Sequence, residues 1–475
     1  MRHWAFDSVF YHIYPLGLCG APRRNDSCST AVPRLEQLYG WIDHLGNLGV
    51  NAVLLGPVFE SSSHGYDTID YCHVDRRLGS NQTLKEVICA FHENGIRVVL
   101  DAVFNHVGRD FWAFRDVRAN NERSDYCGWF DGLNFDKCSP FNDPFSYNGW
   151  AGHYDLVKLN LRNPEVKSHI FQAIEMWLQE FNPDGFRLDA VDWLDIRFAR
   201  ELSSFCRSSR SDFWLMGEAV RGNYRTWTEG NTLDSVTNYE CYKGLYSSHV
   251  DRNYFEIAYA LNRQFGDGGL YCDIPLYNFA DNHDVNRVAS NLTNPAQLHT
   301  LYCLLFTMPG VPSIYYGSEW GLEGKRTDGD DTALRPSIDI ATLSATSPHP
   351  DLCTTIARLA RIRLNSQALK YGNYRQLFIN HEQIAFARKT EEECVLVAVN
   401  ASSKPVSVDL TVPARHRAHL IDLLNPGETF TIDNGRARIE PIWPCWARIL
   451  TVNKSRVKDS LTDYVEPGMR LEPTT

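Results

Sequence analysis

Four stretches of the chain share one pattern, an apolar run that stops at polar, titratable residues. They are RVVLDAVFNH at residues 97–106, GFRLDAVDW at 185–193, FWLMGE at 213–218 and LYNFADNHD at 276–284. Short apolar runs of this kind read as strands, so the polar residues that follow stand at strand carboxyl ends. Further strands fit residues 9–16, 51–55, 233–237 and 312–316, which brings the count to eight. Helical segments fall between them. Leu35, Leu38, Ile42, Leu45 and Leu48 make one apolar stripe, residues 84–91 are helical, and Val166, Ile170, Ile174, Trp177 and Phe181 share one helix face. Asn163-Pro164 starts that last helix, an Asn cap followed by proline in the first turn.

Eight alternating units predict an α/β fold, a (β/α)8 TIM barrel with its chemistry on the loops after the strands. The alternative topology is a doubly wound open sheet. That fold more often carries a Gly-rich phosphate loop after its first strand, and the chain has none there. One insertion breaks the alternation. Residues 107–158 have no helical period and are rich in Gly, Asn, Asp, Pro and aromatics, too long for an ordinary connection. After the last helix, near residues 352–362, short alternating runs at 384–389, 395–400 and 406–410 predict an antiparallel β-sandwich domain. The expected boundaries are a barrel of residues 1–106 and 159–370, an inserted domain at 107–158, a C-terminal β domain at 371–452 and a tail at 453–475.

A formal charge of -11 argues against a nucleic-acid partner or an anionic membrane surface, both of which favour clustered Lys and Arg. The 12 Trp, 22 Tyr and 24 Phe permit sugar-stacking platforms and equally suit a large core. Thirteen cysteines lack metal-ligand spacing, and several lie in apolar runs (Cys89, Cys303, Cys394), which fits reduced core thiols. The start, Met1-Arg2-His3-Trp4, leads into a strand-like run with no targeting signal. A cytoplasmic setting is expected.

Within the motifs, Arg187 and Asp189 are two apart and share a strand face. A guanidinium beside a carboxylate keeps it ionised, as an attacking carboxylate requires, although a structural ion pair at a strand end is the alternative. Glu218 follows an apolar run, where partial desolvation favours a protonated acid. Cleavage of a glycosidic bond with retention needs such a pair, about 5–5.5 Å apart.

Together the four stretches resemble the signature regions of the alpha-amylase superfamily of glycoside hydrolases, family thirteen. LVKLN at residues 156–160 and GVPSIYYGSE at 310–319 are similar to segments of its neopullulanase, cyclomaltodextrinase and alpha-glucosidase group. The resemblance covers roughly residues 9–451. It implies a B domain after the third strand and assigns Asp189 as nucleophile, Glu218 as general acid/base and Asp284 as the third carboxylate. It also implies that His106 and His283 bind hydroxyls of the cleaved sugar, that Tyr66 stacks on it, and that Asp101 holds the site together. The expected activity is hydrolysis of α-1,4-glucosidic bonds in maltooligosaccharides, with cyclodextrins or pullulan as further substrates. A 4-α-glucanotransferase or exo-acting α-glucosidase is the alternative enzyme, and a non-catalytic, transporter-associated barrel the alternative from another class.

Two departures from the resemblance change the expectations. The loop at residues 20–26 lacks an Asp-rich calcium loop, so no cofactor and no metal ligand is assigned, although Asn105 remains able to reach a calcium ion held by the B domain. No segment before Val9 matches the group's N-terminal β domain, and the oligomeric state is left open.

Overall fold

The computed structural model describes residues 3–412 and 418–453; the expected tail lies outside them except for Asn453, which ends the last strand. Eight parallel strands follow in chain order: β1 (Phe10–Ile13), β2 (Ala52–Leu55), β3 (Arg97–Ala102), β4 (Gly185–Leu188), β5 (Trp214–Gly217), β6 (Ser235–Val236), β7 (Tyr277–Phe279) and β8 (Val311–Tyr315). Each pairs with its sequence neighbour, β8 returns to β1, and a parallel bridge from Thr237 to Tyr277 joins β6 to β7. The sheet therefore closes. Its strands are buried almost throughout, which is why they read as continuous apolar runs and not as alternating ones.

Helices α1 (Ile42–Leu48), α2 (Asn81–Glu93), α3 (Pro164–Glu180), α4 (Ile196–Ser209), α5 (Tyr239–Val250), α6 (Phe255–Phe265), α7 (Gln297–Thr307) and α8 (Pro350–Leu364) lie between or after the strands. In α3 the Asn163 side chain accepts the Glu165 N–H, proline takes the first turn, and Val166, Ile170, Ala173, Ile174 and Trp177 are buried on one face. The stripe before β2 begins as a 3-10 turn, Arg34–Trp41, and becomes α-helical only at Ile42. One expected core thiol is corrected. Cys89 is exposed, because the buried positions of α2 are Thr83, Leu84, Val87, Ile88 and Phe91. Among the described residues no helix is long and apolar enough to cross a membrane.

After β3 the chain forms a small three-stranded antiparallel sheet from His106–Gly108, Gly149–Trp150 and His153–Lys158. It lies against the loop that follows β2. A Cβ on Gly108 would come within 2.5 Å of the Asp67 carbonyl oxygen, so only glycine allows this approach. Beyond α8, a six-stranded antiparallel sheet and a two-stranded sheet share a second apolar core containing Ala385, Leu396, Val408, Leu410, Ile439 and Leu450.

The join between barrel and C-terminal domain rests on two buried arginines that have no carboxylate partner among the described residues. Arg363, on α8, donates to the carbonyls of Phe306 (3.0 Å), Leu369 (3.1 Å) and Gly310, and Arg388 donates to those of Thr307 (2.7 Å) and Gly372 (2.9 Å). Phe306 and Thr307 end α7, where unpaired carbonyls and the helix dipole favour a cation. Arg363→Met should therefore lower unfolding stability by about 2–4 kcal/mol, since several buried carbonyls lose their donor. An unchanged urea midpoint would show that the join does not depend on this arginine.

Candidate active site

The strand register sets the centre of the site. Asp101 in β3 stands opposite Arg187 in β4, and Arg187 stands opposite Met216 in β5. The ladder continues one residue beyond the strands, with the Asp189 N–H donating to Ala102 and the Glu218 N–H to Leu188. Asp189 and Glu218 thus end adjoining strands side by side, at roughly the strand spacing of about 4.8 Å. Ala190, next in line, adopts a left-handed φ of 47°, which a non-glycine residue holds only at some cost. That turn aims its N–H at Glu218 Oε2, 3.1 Å away.

Arg187 is the hub. Its Nη1 donates to both oxygens of Asp101 (2.7 and 2.8 Å) and to Asp189 Oδ1 (3.2 Å), while Nη2 pairs with Glu218 Oε1 at 2.9 Å. Arg187 favours the ionised form of Asp189, as expected, but shares that effect among three acids. Burial, followed by the charge of Glu218, pushes the Asp189 carboxyl well above its ordinary value, and Arg187, divided among three acids, does not offset them. Crowded carboxylates of this kind titrate as a unit and retain a proton longer than isolated ones.

Tyr66, from the loop after β2, donates its hydroxyl proton to Asp101 Oδ2 at 2.9 Å, and its ring stacks on His283 at 5.3 Å between centroids. Asp284 sits at the rim, its side chain one-third exposed, between His283 Nε2 (3.0 Å) and Arg335 Nη2 (3.0 Å). Burial alone would raise its carboxyl, but His283, Arg335 and Arg187 hold it well below the usual carboxylate range. His106 closes the other side, with Nε2 4.0 Å from Asp189 Oδ2; burial, reinforced by His64, pushes its imidazole down to about 3. Asn105 stands one step back, with Nδ2 3.2 Å from His106 Nδ1 and Oδ1 buried without a partner.

All nine residues singled out from the sequence therefore meet in this one region. Others join them that no motif announced. Arg335 reaches Asp284 from the loop after β8, Tyr239 at the start of α5 meets Glu218 Oε1 at 3.3 Å, Trp150 of the insertion lies 5.7 Å from His106 between ring centroids, and His12 and Tyr14 pack on His283. The rule that polar residues at strand ends form the site, applied to β1, would have found His12 and Tyr14.

A closed (β/α)8 barrel with this ring of carboxylates defines a glycoside hydrolase architecture. The chain matches the model of the alpha amylase catalytic domain over residues 25–347 and that of the maltogenic amylase C-terminal domain over residues 374–440. It belongs to the alpha-amylase family. It is 32% identical to a cyclomaltodextrinase of a Bacillus species over 84% of its own length and 73% of the relative's. It is 31% identical to neopullulanase 2 of Thermoactinomyces vulgaris over 90% of its length and 74% of the relative's. Among solved structures, the cyclic alpha-maltosyl-(1→6)-maltose hydrolase of Arthrobacter globiformis superposes with a TM-score of 0.78 at 26% identity, covering 95% of this chain and 99% of that one.

Proposed function

We propose that the protein hydrolyses α-1,4-glucosidic bonds of maltooligosaccharides with retention, through a glycosyl ester on Asp189. The observation that carries this reading is the placement of Asp189 and Glu218 side by side on adjoining strands, held by one guanidinium. One guanidinium in contact with both carboxylates keeps them close together, as a retaining double displacement requires. Asp189 attacks the anomeric carbon as Glu218 delivers a proton to the departing oxygen; Glu218 then takes a proton from the water that cleaves the ester. Asp284, held by His283 and Arg335, can accept hydrogen bonds from sugar hydroxyls, and the two histidines can hydrogen-bond further hydroxyls. Chromatography of products from maltose, maltotriose, pullulan and cyclodextrin over time tests the reading. Early appearance of oligomers longer than the substrate would replace hydrolysis by glucanotransfer.

The insertion favours short substrates. Phe130, Phe145 and Tyr147 are buried around Phe114 in the insertion's own core and Trp129 packs on His169 of α3, whereas Trp150 reaches His106 and helps to narrow the site. Catalytic efficiency on maltotriose, counted per cleavable bond, should exceed that on soluble starch. Rapid loss of iodine staining from amylose before small sugars accumulate would contradict this.

Calcium is not required in this reading. Asp26 is engaged by the N–H groups of Cys28 and Ser29, Asp330 pairs with Arg23, and Asp331 pairs with Arg326 and Arg335. These carboxylates already have partners. Asn105 Oδ1 is a buried acceptor and is the atom through which a bound ion would be felt. Turnover should survive EDTA unchanged; loss in chelator and recovery with calcium would reverse the proposal. The reading also places the protein in the cytoplasm, which thirteen cysteines without a disulfide among the described residues support.

A further inference from the structure

The protons around His283 can be counted. Tyr66 has one hydroxyl proton and gives it to Asp101. Its oxygen is also in hydrogen-bond contact with His283 Nε2, and the same nitrogen lies 3.0 Å from Asp284 Oδ2. Two acceptors around one ring nitrogen require that Nε2 carry the proton. In the neutral ring His283 Nδ1 is then an acceptor, and among the described residues it is buried without a partner. His12, at the end of β1, packs edge-on against the same ring, with centroids 5.1 Å apart and planes at 87°. His12 Nε2 is likewise buried and unpartnered, on a residue only 4% exposed. Two orphan nitrogens on two touching rings, one needing a donor, are a costly arrangement unless they satisfy each other.

We propose that His12 is a positioning residue for His283: its Nε2–H donates to His283 Nδ1 across this contact, with at most one internal water between them, and thereby fixes the ring that presents Nε2 to the site. Burial above all holds the His12 imidazole well below its ordinary value, so one of its nitrogens stays free of a proton and the other is available as donor. The second ring contact agrees with an orienting role. Tyr14 stacks on His283 at 5.8 Å and 10°, and Tyr66 stacks at 5.3 Å and 10°, which fixes the plane of the ring but leaves its rotation in that plane open. The contacts of Nε2 with Tyr66 and Asp284 select one orientation at one side of the ring, and a directional bond to Nδ1 holds it from the other. A misplaced sugar-binding group of this kind costs turnover on the order of 10–100-fold.

The consequence for catalysis rests on the function proposed above; the tautomer does not. In wild-type protein labelled with 15N-histidine, with His283 assigned from the signal lost in His283→Asn, Nδ1 should resonate as a bare acceptor nitrogen and Nε2 as an N–H. A protonated Nδ1 would overturn the proposal whether or not the protein is active. On maltotriose, His12→Phe should lower kcat by about 10–100-fold with a smaller change in KM, and His12→Gln, which restores a donor, should recover kcat to within about threefold of wild type. Wild-type kcat in folded His12→Phe, or equal impairment of the two variants at matched thermal midpoints, would sink the positioning role. Should wild-type protein fail to turn over any α-glucoside, the proposed function falls, while the nitrogen spectrum still decides the pairing.

Discussion

Asp189→Asn is expected to lower turnover of maltotriose by at least about 10⁴-fold, because an amide fills the same volume but cannot form a glycosyl ester. The fold should survive intact. Among the described residues the Asp189 side chain accepts one hydrogen bond, at 3.2 Å, from an arginine that is anchored more closely by Asp101 and Glu218, so its loss releases nothing else. The sign of the stability change follows from the titration. A carboxyl whose folded value lies above its unfolded value is destabilising once ionised, so its cost is absent at low pH and grows as pH rises above the unfolded value. At pH 7 the neutral amide removes that cost, and the thermal midpoint of Asp189→Asn should equal or exceed that of wild type. Such an exchange of stability for function is expected where acids are crowded for catalysis. Retention of wild-type turnover would remove Asp189 from the mechanism. A large drop in the thermal midpoint would mean that the carboxylate holds the barrel mouth together and that lost activity reports on folding.

Much of this site was legible in the sequence because of where barrels place their chemistry. Strands buried on both sides leave continuous apolar runs, and the residues that end those runs converge at one mouth. Asp101, Asn105, His106, Arg187, Asp189, Glu218, His283 and Asp284 all lie in such runs or just beyond them. What failed to show depends on contacts between distant parts of the chain. Arg335 meets Asp284 across 51 positions, from a loop with neither period nor motif. The upward push on the Asp189 carboxyl failed to show for a related reason. A spacing of two puts Arg187 beside it, but only the register of three strands brings Asp101 and Glu218 to the same guanidinium. Cys89 illustrates the limit of apolar runs on helices, since a thiol among apolar neighbours still faces outward when the 3.6-residue period places it there.

Glu218→Gln is expected to lower turnover of maltotriose by about 10²–10⁴-fold, the usual range for a lost general acid. On α-glucosyl fluoride, whose leaving group needs no proton, the first step should fall by less than about tenfold. The surroundings favour a clean comparison. Glu218 Oε1 meets Arg187 (2.9 Å) and Tyr239 (3.3 Å), and a glutamine oxygen in that place keeps both donors. The other carboxylate oxygen, which accepts the Ala190 N–H, becomes an amide that faces a donor, and a small shift of the turn at Ala190 must follow. That shift touches both substrates alike. The difference between them therefore isolates the proton, and the common loss measures the displaced turn together with the lost charge beside Arg187. Glucosyl-enzyme formed from the fluoride should accumulate, since the water that releases it also needs Glu218 as base. Equal loss on both substrates, with no accumulation, would make Glu218 an electrostatic partner of Arg187 and leave the departing oxygen to be protonated by another group.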